Sequence, residues 1–334
     1  MKAIALLSGG LDSTLAAQVM IEQGIELEAI NFMTLFCTCT NRGATCLASQ
    51  QAVETLGIPL KVFNVSEEYL HVVKHPKHGY GSNMNPCIDC RIFMLKKSKA
   101  HMENAGASFI VTGEVLGQRP MSQRREAMRL IEKEAGLEGF ILRPLSAKVL
   151  PITVPEKEGW VDREKLLNIQ GRSRKPQIKL AEHFGIHDYP CPAGGCLLTD
   201  PGFAQRIKDL MDHNLDFSIN DVYLLKTGRH FRFSREVKLV VGRSEEENQK
   251  IQTFSQEDDL LLKVSGFSGP LSLLRGKFDE GDIEKAAAIT VHYSKAKDLE
   301  RAEVSYRGAG KDRSQFLSVS PVSRREIERL MINE

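Results

Sequence analysis

A glycine-rich turn between a predicted strand and a predicted helix constrains the fold of this chain more than any other feature. The apolar residues 3–7 lead into Ser-Gly-Gly-Leu-Asp-Ser at 8–13, and helix-forming residues follow. Adjacent glycines let backbone N–H groups approach an anion, because no Cβ atom stands in the way. Serine hydroxyls add donors, and the N-terminus of the helix adds a partial positive charge. The pattern therefore predicts a phosphate-binding loop.

Asp12 is unusual in such a loop, since a carboxylate repels phosphate. A Mg²⁺ ion held by Asp12 would neutralise both groups, which makes this residue a candidate metal ligand. The loop has neither the Gly-Lys-Ser/Thr of a Walker A motif nor the Gly-x-Gly-x-x-Gly of a dinucleotide-binding turn. A different class of nucleotide-binding loop is indicated.

Strands and helices alternate through the first part of the chain. Strands are predicted at 3–7, 26–34, 60–65 and 108–112, and helices at 13–23, 45–57 and 87–104; a further strand-like run follows at 140–145. This alternation predicts an α/β fold with a doubly wound parallel sheet. Ligands of such sheets bind beyond the carboxyl ends of the strands, so we expect Ser8, Asn31 to Thr34, and Gly113 on one rim.

Ser-Gly-Gly-x-Asp-Ser directly after an N-terminal strand resembles the loop of the ATP-pyrophosphatase (PP-loop) family. The resemblance implies that ATP is cleaved between its α- and β-phosphates and that a substrate oxygen is adenylated. The residues expected to bind ATP are Ser8, Gly9, Gly10, Asp12, Ser13, Asn31, Phe32, Met33, Gly113 and Gln118.

The chain has seven cysteines, and Met1 leads directly into the first predicted strand. We therefore expect no signal peptide and a cytoplasmic protein, in which cysteines serve metal binding or catalysis more often than disulfides. No apolar run approaches the roughly 20 residues that span a membrane, so no membrane partner is expected.

Cys87 and Cys90 form a Cys-x-x-Cys pair at the start of a predicted helix. The helix dipole favours the thiolate form of such cysteines. The pair is open to three interpretations, which are a redox couple, two ligands of a metal or Fe–S site, and two buried structural thiols.

The surrounding motifs resemble those of two families of tRNA thiouridine-forming enzymes. Asn-Pro-Cys-x-x-Cys at 85–90 and Gly-Gly-Cys-Leu-Leu at 194–198 resemble the tRNA 2-thiouridylases. Thr-Gly-Glu-Val-Leu-Gly-Gln at 112–118 and Leu-Arg-Pro-Leu at 142–145 are similar to segments of the tRNA 4-thiouridine synthetases. The resemblance implies a catalytic centre of Cys87, Cys90 and Cys196 that acts together with Asp12. It also implies a tRNA substrate and a sulfur donor, either a cysteine desulfurase or carrier, or inorganic sulfide.

Three thiolates are one ligand short of a closed zinc site or a fully ligated 4Fe–4S cluster. A cluster on Cys87, Cys90 and Cys196 would keep one iron open for hydrosulfide, and this interpretation is favoured. The alternative is a persulfide on one cysteine, with a second cysteine releasing the sulfur as a disulfide forms. Cys191 is a second candidate for the third ligand. Three further cysteines are interpreted as half-buried thiols near the ATP rim or, less favoured, as zinc ligands: Cys37, Cys39 and Cys46.

Basic residues cluster in three places that follow predicted rim segments. The candidate RNA-binding residues are Lys96, Lys97, Arg124, Arg125, Arg172 and Arg174. The net charge of +2 says little about partners, since local clusters determine nucleic-acid contacts.

The last third of the chain has a different, α+β pattern, so we place two domains at 1–200 and 201–334. Segments 241–243, 258–264 and 286–297 resemble the RNA-binding domain shared by fibronectin-binding and ribosome-quality-control proteins. Together the resemblances imply ATP-dependent thiolation of a tRNA uridine. Two other hypotheses stay open, a PP-loop enzyme that adenylates or amidates a small molecule and a non-catalytic RNA-binding adaptor.

Overall fold

The computed structural model describes residues 1–38, 47–187, 189 and 196–332. The chain forms two compact units, Met1–Thr199 and Asp200–Glu334. Three cysteines considered above, Cys39, Cys46 and Cys191, lie outside the described residues.

A five-stranded sheet of order β3-β2-β1-β4-β5 forms the centre of the first unit, and every neighbouring pair is parallel. Its strands are β1 (Lys2–Leu6), β2 (Glu26–Met33), β3 (Leu60–Asn64), β4 (Phe109–Thr112) and β5 (Ile141–Leu142). Its α-helices are α1 (Leu11–Ile21), α2 (Leu47–Leu56), α3 (Ser66–Lys74), α4 (Cys87–Asn104), α5 (Arg125–Ala135), α6 (Val154–Lys157) and α7 (Lys175–His183). The doubly wound parallel sheet predicted from the sequence is confirmed.

The strand register brings the predicted rim together. Leu6 at the end of β1 pairs with Ile30 of β2 and with Thr112 of β4. The order of the strands reverses between β1 and β4, and ligands bind at such a switch point. The loop after β1 therefore lies where a nucleotide is expected.

The structure of the first unit differs from the sequence-based prediction in two places. Helix α3 lies in a region for which no helix was predicted, and it buries Tyr69, Leu70 and Val73 on one face. The strand-like run at 140–145 contributes only the two residues of β5, because Arg143 turns into a buried ion-pair network instead of continuing the ladder.

The second unit has a six-stranded antiparallel sheet of order β11-β10-β8-β9-β7-β6. Its strands are β6 (Arg229–Arg232), β7 (Lys238–Val241), β8 (Leu260–Val264), β9 (Ser272–Arg275), β10 (Ala302–Gly308) and β11 (Gln315–Val319). Its helices are α8 (Pro201–His213), α9 (Ile219–Leu225), α10 (Glu245–Thr253), α11 (Glu280–His292) and α12 (Arg324–Leu330). Apolar residues of α11, with those of α12, share a core with the sheet, which is the α+β arrangement predicted.

Across the part of the chain that the structure describes, no helix combines the length and apolar character of a membrane span.

Candidate active site

The loop between β1 and α1 is held in shape by its own serines. The Ser13 hydroxyl donates to the Gly10 carbonyl at 2.9 Å, and the Ser8 and Ser13 hydroxyl oxygens lie 3.2 Å apart. Gly10 is the N-cap of α1, and no side chain caps the first turn. Because the first N–H groups of a helix lack partners within the helix, this end is suited to bind an anion.

Two glycines are required by backbone packing around this loop. Gly9 has φ +74°, and a Cβ there would lie 2.2 Å from the carbonyl carbon of Ala48 at the start of α2. A Cβ on Gly113 would lie 2.4 Å from the backbone nitrogen of Ser13. From the sequence, Gly9 was expected only to let backbone N–H groups approach a phosphate. The structure shows that Gly9 also lets α2 approach and that Gly113 lets β4 approach the start of α1.

Asp12 is the centre of a polar network. Its Oδ2 atom accepts from Gln118 Nε2 at 2.7 Å and lies 3.2 Å from Nη2 of Arg174. Gln177 Nε2 in turn donates to Gln118 Oε1 at 3.0 Å. The second carboxylate oxygen, Oδ1, is buried without a hydrogen-bond partner among the described residues. One anionic oxygen of Asp12 is thus available for a cation or a donor.

The predicted residues at the end of β2 lie beside this loop. Asn31 is buried, and its Nδ2 donates to the Leu7 carbonyl at 2.7 Å, while its Oδ1 has no partner in the described chain. Phe32 stacks on Phe63 with ring centroids 5.6 Å apart, so its ring is already used in packing, and Met33 is half-buried. Of these three, Asn31 has the side-chain atom best suited to meet a ligand.

Cys87 and Cys90 occupy the first turn of α4. Cys87 Sγ accepts a hydrogen bond from Asn85 Nδ2 at 2.9 Å. Cys90 is hydrogen-bonded to the buried hydroxyl of Tyr69 on α3. The thiols of Cys87, Cys90 and Cys196 all act on the pKa of Tyr69, which burial raises well above its usual value. The three predicted cysteines therefore share one neighbourhood around this tyrosine.

Cys196 reaches that neighbourhood through backbone contacts. The Leu198 carbonyl accepts from Met84 N at 3.1 Å, and the Thr199 carbonyl accepts from Asn83 Nδ2 at 2.8 Å. These bonds tie the segment after Cys196 to the loop before α4.

A fourth thiol, that of Cys37, joins the group. Cys37 pairs with Cys196 in an isolated antiparallel bridge, and Leu197 N donates to the Phe36 carbonyl at 2.9 Å. All four thiols are reduced. The interpretation of Cys37 as a half-buried thiol near the ATP rim missed this pairing, because nothing in local spacing connects residues so far apart in the chain.

Burial dominates the electrostatics of the thiols. It raises the pKa of Cys87 and of Cys90, although Arg91 opposes the rise at both. It raises the pKa of Cys196 to about 12. The expectation that the helix dipole would favour thiolates is therefore wrong for the protein without bound groups, since desolvation of the charged form outweighs it.

One arginine, Arg119, links the thiols to the phosphate loop. The pKa of Arg119 is lowered because its guanidinium is partly removed from water and because the Arg91 cation is nearby. The Arg119 side chain as a whole is nevertheless exposed. Cys87 and Asp12 both act on the pKa of Arg119 in the opposite direction. One guanidinium is therefore close to both the thiol group and the carboxylate of the loop.

A buried ion-pair network supports these arginines. Glu114 is 3% exposed, and its carboxylate lies 3.4 Å from Arg91 Nε and 3.0 Å from Arg143 Nε. Arg143 also pairs with Glu132. Burial alone would raise the pKa of Glu114, but the cations of Arg143 and Arg91 outweigh this effect and lower it. The motifs at 112–118 and 142–145 thus meet as partners in one network.

The six candidate RNA-binding residues differ in their contacts with the rest of the first unit. Lys97 pairs with Glu68 at 2.6 Å, and Arg174 pairs with Asp12. Arg125 donates to the Val149 carbonyl at 3.0 Å and lines a cavity of about 490 Å³. The other three are exposed: Lys96, Arg124 and Arg172.

Several residues of the site were missed or undervalued by sequence reasoning. Arg91 directly follows Cys90, and Arg119 directly follows Gln118, so adjacency to the motifs was a usable signal. Tyr69 and Gln177 come from helices remote in sequence and gave no such signal. In the described part of the chain, no three His, Cys, Asp or Glu side chains converge in a geometry that holds a metal ion.

The strand–loop–helix at the switch point of a parallel sheet, with this serine- and glycine-rich loop, defines a PP-loop nucleotide-binding domain. Residues 1–149 match the family model described as Thiamine biosynthesis protein (ThiI), and residues 228–331 match the model of the NFACT protein RNA binding domain. The chain is therefore similar to the ThiI family over residues 1–149 and to the NFACT RNA-binding domain over residues 228–331, and the resemblances drawn from the motifs are confirmed.

Individual relatives carry names from tRNA modification. A probable tRNA sulfurtransferase of Lysinibacillus sphaericus is 31% identical over 55% of this chain and 46% of the relative. The tRNA-specific 2-thiouridylase MnmA of Marinobacter nauticus is 27% identical over 63% of this chain and 54% of the relative. A 4-thiouridine synthetase in complex with RNA and ATP has a TM-score of 0.38 at 19% identity, over 67% of this chain and 52% of that one. The chain spans about half the length of the curated relatives it matches.

Proposed function

We propose that the protein is an ATP-dependent tRNA sulfurtransferase that replaces a uridine carbonyl oxygen with sulfur. The observation that carries this proposal is that residues 114–118 contact both sites. Gln118 donates to Asp12 of the phosphate loop at 2.7 Å, and the Glu114 carboxylate lies 3.4 Å from Arg91, which directly follows Cys90. Adenylation and sulfur delivery need one shared pocket, because the adenylated base has to react with sulfur before water hydrolyses it.

The first step is adenylation of the base. ATP lies with its phosphates on residues 8–13, where loop N–H groups and serine hydroxyls stabilise their charge. The uridine carbonyl oxygen attacks the α-phosphorus. The bond between the α-phosphorus and the oxygen that bridges to the β-phosphorus breaks, and pyrophosphate leaves with that oxygen. The partnerless oxygens of Asn31 and Asp12 accept donors or a cation from the bound nucleotide.

Mg²⁺ fits this loop through one protein ligand. Asp12 Oδ1 is an anionic oxygen without a partner in the described chain, and Mg²⁺ is commonly held by one or two carboxylates together with substrate phosphates and water. Bound there, Mg²⁺ supplies neutralisation of phosphate charge. Arg174, on the other oxygen of Asp12, adds a second positive charge close to the phosphates.

The second step is displacement of AMP by sulfur at the activated carbon. Cys87, Cys90 and Cys196 are the type of donor that a 4Fe–4S cluster takes, and all three lie near the Tyr69 hydroxyl. Their side chains do not form a metal-holding group in the described structure, so a cluster would require them to move closer together. Held by these three cysteines, a cluster would supply one iron without a protein ligand, which could take up hydrosulfide. Since burial keeps these thiols protonated, loading of a cluster releases protons.

Cys37 makes a cluster-free route chemically complete. A cysteine desulfurase or carrier that bears a persulfide transfers its outer sulfur to Cys196 and keeps its own thiol. The outer sulfur of the Cys196 persulfide then attacks the activated carbon and expels AMP. Cys37 thiolate then attacks Sγ of Cys196, which forms a disulfide and releases the thiolated base, and an external dithiol restores both thiols. Residues paired in an antiparallel bridge have Cα atoms about 4.5–5.5 Å apart, which lies within the range for disulfides.

The NFACT-type domain and the basic residues of the first unit are proposed to bind the tRNA. Phosphate contacts by exposed residues such as Arg124 and Arg172 would make affinity fall steeply with salt. The target uridine leaves its stack to enter the pocket.

Nucleoside mass spectrometry of tRNA from a strain lacking the gene tests this function. We expect one thiolated uridine to disappear and to return with the wild-type gene. Asp12→Asn and Cys90→Ala should fail to restore it, whereas Glu22→Gln, at the exposed far end of α1, should restore it fully. Unchanged thiolation in the deletion strain would sink the proposal and favour a small-molecule adenylating enzyme. Full restoration by both site variants would instead support a non-catalytic adaptor.

A further inference from the structure

A small cavity in the second unit has an unusual lining. It measures about 140 Å³ and is lined by Arg206, Arg229, His230, Arg243, Met331 and Ile332. Three of the six lining side chains are guanidinium groups, and none is a carboxylate. A water molecule occupies about 30 Å³ of liquid, so the cavity has room for a small anion and a few waters.

The arginines are held in place by contacts outside the cavity. Arg206 donates to the Leu225 carbonyl at 2.8 Å, and Arg243 pairs with Glu247 at 2.8 Å. The Arg229 guanidinium lies over the Tyr293 ring at 4.5 Å, and among the described residues no carboxylate forms an ion pair with it. Arginines fixed in this way need little ordering when an anion binds.

The buried ring of His230 also points to a ligand in this cavity, independently of the arginines. It is 2% exposed, and neither ring nitrogen has a hydrogen-bond partner within the described chain; the Thr227 carbonyl lies nearby without hydrogen-bond geometry. A buried polar group without a partner is destabilising, and such groups are rare in folded proteins. Burial and the cations of Lys238 and Arg206 lower the pKa of His230 well below its usual value, so the ring is neutral and keeps one N–H donor.

We propose that this cavity binds a phosphate group, with Arg229 and Arg243 as its charge partners and His230 as a further hydrogen-bond donor. Guanidinium groups match phosphate oxygens in geometry and charge, and the neutral imidazole N–H adds a donor. The phosphate belongs to an RNA chain, and this assignment of its source rests on the proposed function. The phosphate site itself does not depend on that function.

The first measurement is calorimetric titration of the full chain with inorganic phosphate. Arg229→Gln removes the charge while keeping an amide of similar reach, and we expect at least a tenfold loss of phosphate affinity. Arg313→Gln, an exposed arginine of the same unit outside the cavity, is the matched control and should bind as the wild type does. Arg229→Lys keeps the charge and should recover part of the affinity, which separates a lost ligand contact from a misfolded unit. Equal phosphate affinity in the wild type and Arg229→Gln would overturn the site.

The second measurement identifies the source of the phosphate. Binding of a short single-stranded RNA is followed against salt concentration, and Arg229→Gln should reduce the slope of log K against log salt by about one. An unchanged slope, together with lost binding of inorganic phosphate, would refute RNA as the source. Unchanged tRNA thiolation in the strain lacking the gene would refute the proposed function and leave the phosphate titration unaffected.

Discussion

Removing the charge of Glu114 tests the network behind the thiol group. Its carboxylate lies between the guanidinium groups of Arg91 and Arg143, and Arg143 itself is 4% exposed. Loss of one partner of a buried ion pair typically costs about 3–5 kcal/mol, because a charge is left buried without compensation. Since the amide of Glu114→Gln can still accept one hydrogen bond, we expect the lower end, about 3 kcal/mol.

Trp160 provides a probe of the first unit alone. It is the only tryptophan of the chain, and its ring stacks on Phe109 at 6.3 Å in the core of that unit. Unfolding in urea, followed by tryptophan fluorescence, therefore reports this unit. A loss of 3 kcal/mol corresponds to a fall of about 6–12 °C in Tm for a unit of this size.

The pH dependence has a definite sign. Its arginine partners hold the pKa of Glu114 below its ordinary 4.5, so its contribution is present above pH 4.5 and is lost as pH falls through the folded-state pKa. The difference between wild type and variant should therefore shrink in acid.

The matched control is Glu164→Gln. Glu164 pairs with Lys148 at 3.1 Å, but its side chain is 87% exposed, and pairs of this kind contribute at most about 1 kcal/mol. Equal unfolding free energies for Glu114→Gln and Glu164→Gln at neutral pH would refute the reasoning about the buried network.

Three further predictions follow from single contacts. Asp12→Asn should lower pyrophosphate release at least 100-fold, as judged by a coupled phosphate assay, and activity equal to that of Glu22→Gln would contradict the role of the carboxylate. Cys37→Ser should prevent the disulfide that mild oxidation with oxidised glutathione forms with Cys196, as read from peptide masses after digestion; a Cys196 disulfide to another cysteine in the wild type would contradict the pairing. Burial lowers the pKa of Lys238 to about 7, so Lys238→Met should stabilise the second unit by up to about 4 kcal/mol at pH 7. The unfolded chain binds the extra proton between pH 7 and 10.5, so calorimetry should show wild-type stability rising with pH over that window and the variant lacking the rise.

The sequence carried most of the architecture of the first unit. Strand and helix periods, and the glycine positions that end helices α1, α2 and α4, depend on local chemistry that can be read directly. Helix α3 was missed because its apolar face is short and most of its remaining residues are charged or histidine. The strand predicted at 140–145 was too long because the tertiary ion pair of Arg143 overrides local strand preference.

The site was only partly predictable. The loop and the motif cysteines are short-range patterns, and Gln118 proved to be a partner of Asp12. The pairing of Cys37 with Cys196 is a long-range contact that no local pattern encodes. The protonated state of the thiols depends on burial, which spacing alone does not reveal.

The central claim is that base activation and sulfur delivery occur in one pocket. Anaerobically prepared protein is incubated with tRNA, ATP and, in parallel samples, ³⁴S-labelled sulfide or ³⁴S-labelled cysteine with a cysteine desulfurase and a dithiol. AMP and the nucleosides are then quantified together. The account predicts one ³⁴S-labelled uridine for each AMP released, and no label with Cys90→Ala. AMP release by the wild type without ³⁴S in any uridine would contradict it.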